Sequence, residues 1–119
     1  MHELGIVFSI MDTLEDVAKE NALDTIQSVT VEVGEVSAVI PAYLTDCWGW
    51  AQKKRGSLLE NCQLLVEVLP ARTHCGSCGS DYKTVEYGRI CPHCGSEKTW
   101  LLTGNEINIK EVRVDPGDS

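Results

Sequence analysis

Two pairs of cysteines share one spacing, Cys75-Gly-Ser-Cys78 and Cys91-Pro-His-Cys94, with twelve residues between the pairs. Thiolate is a soft donor, and four thiolates set as a tetrahedron are the ligand shell that Zn(II) takes in structural sites. Each Cys-x-x-Cys can wrap as a tight turn. Gly79 and Gly95, which follow the second cysteine of each pair, permit backbone N–H groups to point at sulfur. Cys75, Cys78, Cys91 and Cys94 are therefore expected to hold zinc. Four protein ligands leave no position for water, so the site reads as structural rather than catalytic. A thioredoxin-like redox pair would use one Cys-x-x-Cys at a strand-to-helix junction, not two paired turns. An iron–sulfur centre is the remaining thiolate alternative. His74 and His93 flank the cluster and read as bystanders of a sulfur shell. The sharper alternative is that one imidazole replaces a thiolate, which would make the site sensitive to pH.

A second donor set stands at the amino end, Met1-His2-Glu3. Removal of the initiator methionine needs a small second residue, so His2 is expected to retain Met1. The Met1 α-amine, the His2 amide nitrogen and the His2 imidazole then close successive chelate rings. Such nitrogen-rich, tetragonal or square-planar sets suit Ni(II) or Cu(II). Glu3 adds a carboxylate, or its amide nitrogen completes the plane. A histidine at position 2 is by itself an ordinary exposed residue, so this pattern alone decides nothing.

The elements that must position these donors follow from periodicity. Leu4, Val7, Ile10, Met11, Leu14, Val17 and Ala18 recur every three or four residues and predict a helix over 4–21, with Met11 as packing and not as a ligand. Val29, Val31 and Val33 alternate with Ser28, Thr30 and Glu32, which predicts a half-buried strand over 26–34 ended by Gly34. Pro41 opens a second helix, whose stripe of Leu44, Cys47, Trp48 and Ala51 runs to about Arg55 before Gly56. A strand over 62–69 turns Leu64, Val66 and Val68 to one face, and Pro70 interrupts it. The stretch 71–100 is rich in Gly, Ser, Thr and Cys and poor in aliphatic residues. A last strand over 106–114 changes phase between Ile109 and Val112. Cys47 and Cys62 read as small buried hydrophobes, and Trp48, Trp50 and Trp100 as packing, with an exposed Trp50 as a partner anchor in the alternative.

The expected fold class is α+β: a small three-stranded sheet packed with two helices, plus a zinc-ribbon-like lobe inserted before the last strand. The expected division is an α+β domain over 1–70 and 101–119, which carries the Met1-His2-Glu3 donor set, and a zinc-binding lobe over 71–100. The 119 residues carry a formal net charge of −8. That charge disfavours a phosphate backbone as partner and suits cationic metals and basic protein surfaces. No apolar run approaches the ~18 residues of a membrane span, and the amino end lacks the pattern of a secretory signal. A cytoplasmic location follows as the expectation, and reduced cysteines with it.

In combination these features resemble the HypA/HybF family of hydrogenase nickel-insertion accessory proteins. The resemblance rests on Met1-His2-Glu3 opening onto the first helix, Val33-Gly34-Glu35-Val36-Ser37, Leu69-Pro70-Ala71, the two cysteine units with Gly79 and with Gly95-Ser96, and Gly104-Asn105-Glu106-Ile107-x-Ile109. It implies that His2 ligates Ni(II), with Glu3 beside it, and that Cys75, Cys78, Cys91 and Cys94 hold Zn(II). It implies transfer of nickel rather than catalysis. The implied partners are a GTPase of the nickel-insertion pathway and the large subunit of [NiFe] hydrogenase. Urease machinery is a further recipient in some organisms, and some members form homodimers. Residue 40 is Ile40, so no carboxylate is available there as a further nickel ligand. The rival reading from the cysteines alone is a zinc-ribbon adaptor or nucleic-acid-binding protein, which the charge and the lack of a basic, aromatic stripe oppose. A zinc hydrolase would need an open coordination position, which four thiolates do not leave.

Overall fold

The computed structural model describes residues 3–114, so Met1, His2 and the tail 115–119 of the expectations above lie outside the described residues. The elements run α1 (Glu3–Asn21), β1 (Ser28–Gly34), α2 (Pro41–Gln52), β2 (Gln63–Leu69), β3 (Arg72–Cys75), β4 (Asp81–Lys83), α3 (Thr84–Tyr87), β5 (Thr99–Thr103) and β6 (Ile107–Arg113). The α+β class holds. Strand order is β2-β1-β6 in one three-stranded sheet and β4-β3-β5 in a second. The chain divides into two compact units, one over 3–31, 39–67 and 108–114, the other over 32–38 and 68–107.

In the first unit α1 buries Ile6, Val7, Ile10, Met11, Leu14 and Ala18, the spacing of one helical stripe. Met11 is fully buried, as a packing residue should be. The helix stops where Ala22 turns to φ 53° and the Leu23 N–H reaches back to the Ala18 carbonyl at 2.9 Å. α2 begins at Pro41, which needs no N–H partner in the first turn. It buries Leu44, Trp48 and Ala51 and packs against α1. It ends at Gln52, short of the expected Arg55, because Lys54 and Arg55 donate three residues back, to Ala51 and Gln52, and tighten the chain before Gly56. The Trp48 indole donates to the Cys62 carbonyl at 3.0 Å, and the Gln52 amide to the Leu59 and Cys62 carbonyls, both at 2.7 Å. These bonds fix α2 over the lead-in to β2.

The first sheet departs from the simple alternation. β1 is buried on both faces, Ser28 and Thr30 included, and not half-buried. It is the middle strand, with β2 on one side and β6 on the other. β2, by contrast, is an edge strand with Leu65 and Val68 exposed, so Val68 does not share the partial burial of Leu64 and Val66. Bonds from Gln63 N–H to the Gln27 carbonyl and from Glu35 N–H to the Leu69 carbonyl put the two starts, and the two ends, of β1 and β2 together. The strands are parallel, joined by the α2 crossover that a parallel pair requires. β6 keeps the expected change of phase: Ile107, Ile109 and Val112 are the partly buried positions.

The second unit holds more structure than its composition suggested. β3 pairs antiparallel with both β4 and β5, with registers that include His74 opposite Asp81 and His74 opposite Trp100. Its core cluster is Cys75, Tyr82 and Cys91. Trp50 and Trp100 are exposed rather than packed inside, whereas Trp48 is buried. Cys62 is buried as expected; Cys47 is only half-buried.

Candidate metal centre

Short local elements bring the four cysteines to one point. β3 delivers Cys75 at its last residue, and the chain then makes the turn 75–79 before β4. The second turn, 91–95, lies between α3 and β5. The two turns repeat one hydrogen-bond pattern. Gly79 N–H donates to the Cys75 carbonyl and Gly95 N–H to the Cys91 carbonyl, each at 2.9 Å. Cys75 N–H donates to the Ser80 carbonyl at 2.8 Å and Cys91 N–H to the Ser96 carbonyl at 3.0 Å. Gly79 and Gly95 hold φ at 78° and 76°, the left-handed conformation that lets the chain double back under its cysteines. Ser77 and Ser96 join the two turns through a hydroxyl–hydroxyl bond of 2.8 Å.

The sulfur atoms of Cys75, Cys78, Cys91 and Cys94 all lie within 4.8 Å of one another. The Cys75–Cys94 and Cys78–Cys91 separations are both 3.6 Å. A tetrahedron with Zn–S bonds of about 2.3 Å has edges of roughly 3.8 Å, so the residues present fit Zn(II). The first cysteine of each turn is buried and the second exposed, so the cluster sits at the surface with half its sulfur shielded. Backbone N–H groups serve the sulfurs: His93 donates to Cys91 Sγ at 3.4 Å, Ser80 serves Cys78, and Ser96 serves Cys94. The Ser80 hydroxyl and N–H hold the Cys78 thiol down at about 6. The Ser96 N–H acts in the same sense on Cys94, but neighbouring thiols, Cys75 first, and burial outweigh it and push that thiol up to about 12. Four thiols in one place share protons unequally, and a divalent cation replaces the protons that remain. When bound, zinc supplies a cross-link between the two turns and no open coordination position.

Neither His74 nor His93 contributes a ring nitrogen to this group. The His74 Nδ1 lies 2.5 Å from Asp81 Oδ1, across the β3–β4 pair, and its ring lies 4.9 Å from that of Trp100. His93 is exposed.

Two residues outside the cysteines anchor this unit, and the spacing of metal ligands alone does not point to them. Glu35 Oε1 accepts the Ala71 N–H at 2.9 Å, tying the segment after β1 to the segment before β3. Glu106 Oε1 accepts the N–H groups of Gly104 and Asn105 at 2.6 and 2.9 Å. Those bonds, the Gly104 N–H first, hold its carboxyl below the usual range. Gly34 and Gly104 are required by close backbone approach. A Cβ on Gly34 would stand 2.1 Å from the Gly104 carbonyl oxygen, and one on Gly104 would stand 2.4 Å from Ala71 Cα. The segments that share these contacts are the ones the resemblance rests on.

At the other donor set, Glu3 opens α1 and its Oε2 accepts the Ile40 N–H at 3.3 Å. His2, next to it in sequence, lies outside the described residues.

The comparisons with known proteins identify the family. Residues 1–114 match the family model described as hydrogenase/urease nickel incorporation, metallochaperone, hypA. The chain belongs to this family. A hydrogenase maturation factor HypA of Geotalea daltonii is 36% identical over 115 residues, spanning 96% of this chain and 99% of the relative. One from Geobacter metallireducens is 32% identical, spanning 97% and 100%. The solution structure of the Ni metallochaperone HypA from Helicobacter pylori superimposes with a TM-score of 0.72 at 23% identity, over 96% of this chain and 97% of that one, and so shares the fold. Hydrogenase maturation and nickel are thus the business of the HypA family to which the chain belongs, and a zinc-ribbon adaptor or nucleic-acid binder is not favoured. Residues 68–107 carry four acidic and four basic residues, which is no basic stripe.

Proposed function

We propose that this chain takes Ni(II) as cargo at its amino end and surrenders it during maturation of [NiFe] hydrogenase, while Cys75, Cys78, Cys91 and Cys94 hold a permanent Zn(II). The donors proposed are the His2 imidazole and amide nitrogen, the Met1 amine, and an amide nitrogen or the carboxylate of Glu3. The observation that carries the reading is the family match, which begins at residue 1 and takes in both donor sets. The sulfur geometry supports the zinc half independently. Nitrogen donors at a chain end can be exchanged one at a time, which favours hand-over. Four thiolates cross-linking two turns favour retention. The lobe 71–100 is the zinc-binding part, and the helices and the β2-β1-β6 sheet form the nickel-binding part. The finer partners proposed are the GTPase of the nickel-insertion pathway, the hydrogenase large subunit, urease machinery as a second recipient, and a second copy of the chain; the setting is cytoplasmic. No helix among the described residues is long and apolar enough to cross a membrane.

Nickel titration of the zinc-loaded wild type and of His2→Ala tests the reading. The expected result is one tight Ni(II) per chain in the wild type, lost in His2→Ala, with zinc content equal in both. A wild type that shows no preference for Ni(II), or a His2→Ala variant that binds it equally well, overturns the proposal.

A further inference from the structure

The start of α2 lacks what a helix ordinarily uses there. Its capping residue is Ile40, whose side chain offers no acceptor. Pro41 has no N–H to give, and the first turn holds no carboxylate. Helix starts carry partial positive charge from N–H groups without an intrahelical acceptor, and they favour an anion. Here the acceptor comes from the other helix. Glu3, the first residue of α1, directs Oε2 at the Ile40 N–H and accepts it at 3.3 Å.

Two further contacts show how the helices lie. The Phe8 and Trp50 rings meet edge to face at 6.4 Å. Arg55, just past the end of α2, bonds Asp12 at 2.9 Å and Glu15 at 3.2 Å. The partners advance together along both segments, so α1 and α2 run in the same direction and their amino ends are neighbours. Two positive helix ends side by side repel each other. The Glu3 carboxylate stands in the first turn of α1 and at the start of α2, where it offsets both.

The consequence for nickel lies in the chain itself. The Glu3 nitrogen is bonded to the His2 carbonyl carbon, so the residue that ties α1 to α2 is also the one from which the donor segment departs. Donors that start from a fixed residue lose less freedom on closing around a metal.

We infer that the Glu3 side chain is a positioning group and not a nickel donor: it clamps the first residue of α1 to Ile40 at the start of α2 and so presents the Met1 and His2 nitrogens to the metal. The inference rests on the nickel reading above and assigns the Glu3 carboxylate within it.

Ni(II) titration of the zinc-loaded full chain, followed by d–d absorption, compares wild type with Glu3→Gln, Glu3→Ala and His2→Ala. Glutamine keeps an oxygen that can accept the Ile40 N–H but gives up the charge, whereas alanine gives up both. Glu3→Gln is expected to bind Ni(II) within about threefold of wild type and Glu3→Ala about tenfold more weakly, with the same absorption bands for the bound metal in all three. In nickel-free protein the Ile40 amide should exchange with solvent slowly in wild type and Glu3→Gln and fast in Glu3→Ala. Arg55→Met breaks the ion pairs at the far end of the helix pair. It is expected to lower the unfolding midpoint and leave Ni(II) affinity unchanged, which separates positioning from general packing. If Glu3→Gln binds as weakly as Glu3→Ala and both shift the absorption bands, the carboxylate is a donor; the inference falls, and the nickel reading stands on the loss in His2→Ala. The inference also falls if wild type and both Glu3 variants bind alike, if their Ile40 amides exchange alike, or if Arg55→Met weakens Ni(II) as much as Glu3→Ala does. Equal Ni(II) binding by His2→Ala overturns the nickel reading and the inference with it.

Discussion

At the scale of single residues, Gly34 and Gly104 are the most constrained positions outside the cysteines. A methyl group on Gly34 collides with backbone rather than with a side chain that could move, and Gly104 adds a φ of 110° that other residues rarely adopt. Gly34→Ala is expected to lower the unfolding free energy by at least about 2 kcal/mol, and Gly104→Ala by more, in denaturant titrations of zinc-loaded protein. Gly49 is the contrast: it lies in α2 with nothing within 4 Å of an added Cβ. Gly49→Ala is expected to raise stability by about 0.5–1 kcal/mol through helix propensity. Equal effects at the three positions would refute the packing argument. Cys62 and Cys47 separate in reactivity by the same logic of surroundings. Burial pushes the Cys62 thiol up to about 11, whereas Cys47 is half-buried. Alkylation of the native zinc-loaded protein at pH 8 should modify Cys47 first, since Cys62 then holds roughly a thousandth of its sulfur as thiolate. Peptide mapping that finds Cys62 labelled as fast as Cys47 would contradict this. The four clustered cysteines were legible from spacing because zinc demands their type and number. Glu35 and Glu106 were not legible as anchors, because one carboxylate accepting a backbone N–H leaves no periodic trace.

Among elements, the turn between β5 and β6 offers a prediction with a defined sign. Glu106 is held below its ordinary value of 4.5 by the N–H groups it accepts, so folding favours its ionised form. Its contribution to stability is fully present above that ordinary value and disappears as pH falls from there through the lower folded value. The stability difference between wild type and Glu106→Gln should therefore stay constant from neutral pH to about 5 and shrink below it. A difference that grows on acidification would reverse the assignment. α1 and β6 were read correctly because their periods repeat: α1 departs from 4–21 by one residue at its start, and β6 changes phase where Ile109 and Val112 predicted. β3, β4 and α3 were missed because they span only four, three and four residues. β5 has the composition of a strand, yet Trp100, Leu101 and Leu102 are all exposed, so no buried face imposes alternation on it. β1 misled for the opposite reason. A middle strand buries Ser28 and Thr30 whatever their polarity, so polar residues at alternate positions did not mark a solvent face.

Across the whole molecule, the two units rest on different physics. The first buries Val7, Met11, Leu14, Ile26, Val29, Val31, Leu44 and Leu59 to 2% exposure or less, an apolar core of ordinary kind. Among the described residues the second unit has the core cluster Cys75, Tyr82 and Cys91, and two of those three are sulfur donors. Remove the cross-link between the turns and Tyr82 alone is left as large apolar mass in that cluster. Structural zinc is worth roughly 10–16 kcal/mol in small peptides, more than one tyrosine can replace. Chelation of zinc should therefore melt 72–103 and leave the helices folded. Hydrogen exchange reads this directly: amides of β3, β4 and β5 should lose protection on zinc removal, while those within α1 and α2 keep theirs. Because chelated protein retains its first unit, its Ni(II) affinity can be measured in the same sample. Global loss of protection on chelation would show that one cooperative core spans both units, and retention of the β4-β3-β5 sheet without metal would show that the small cluster suffices by itself.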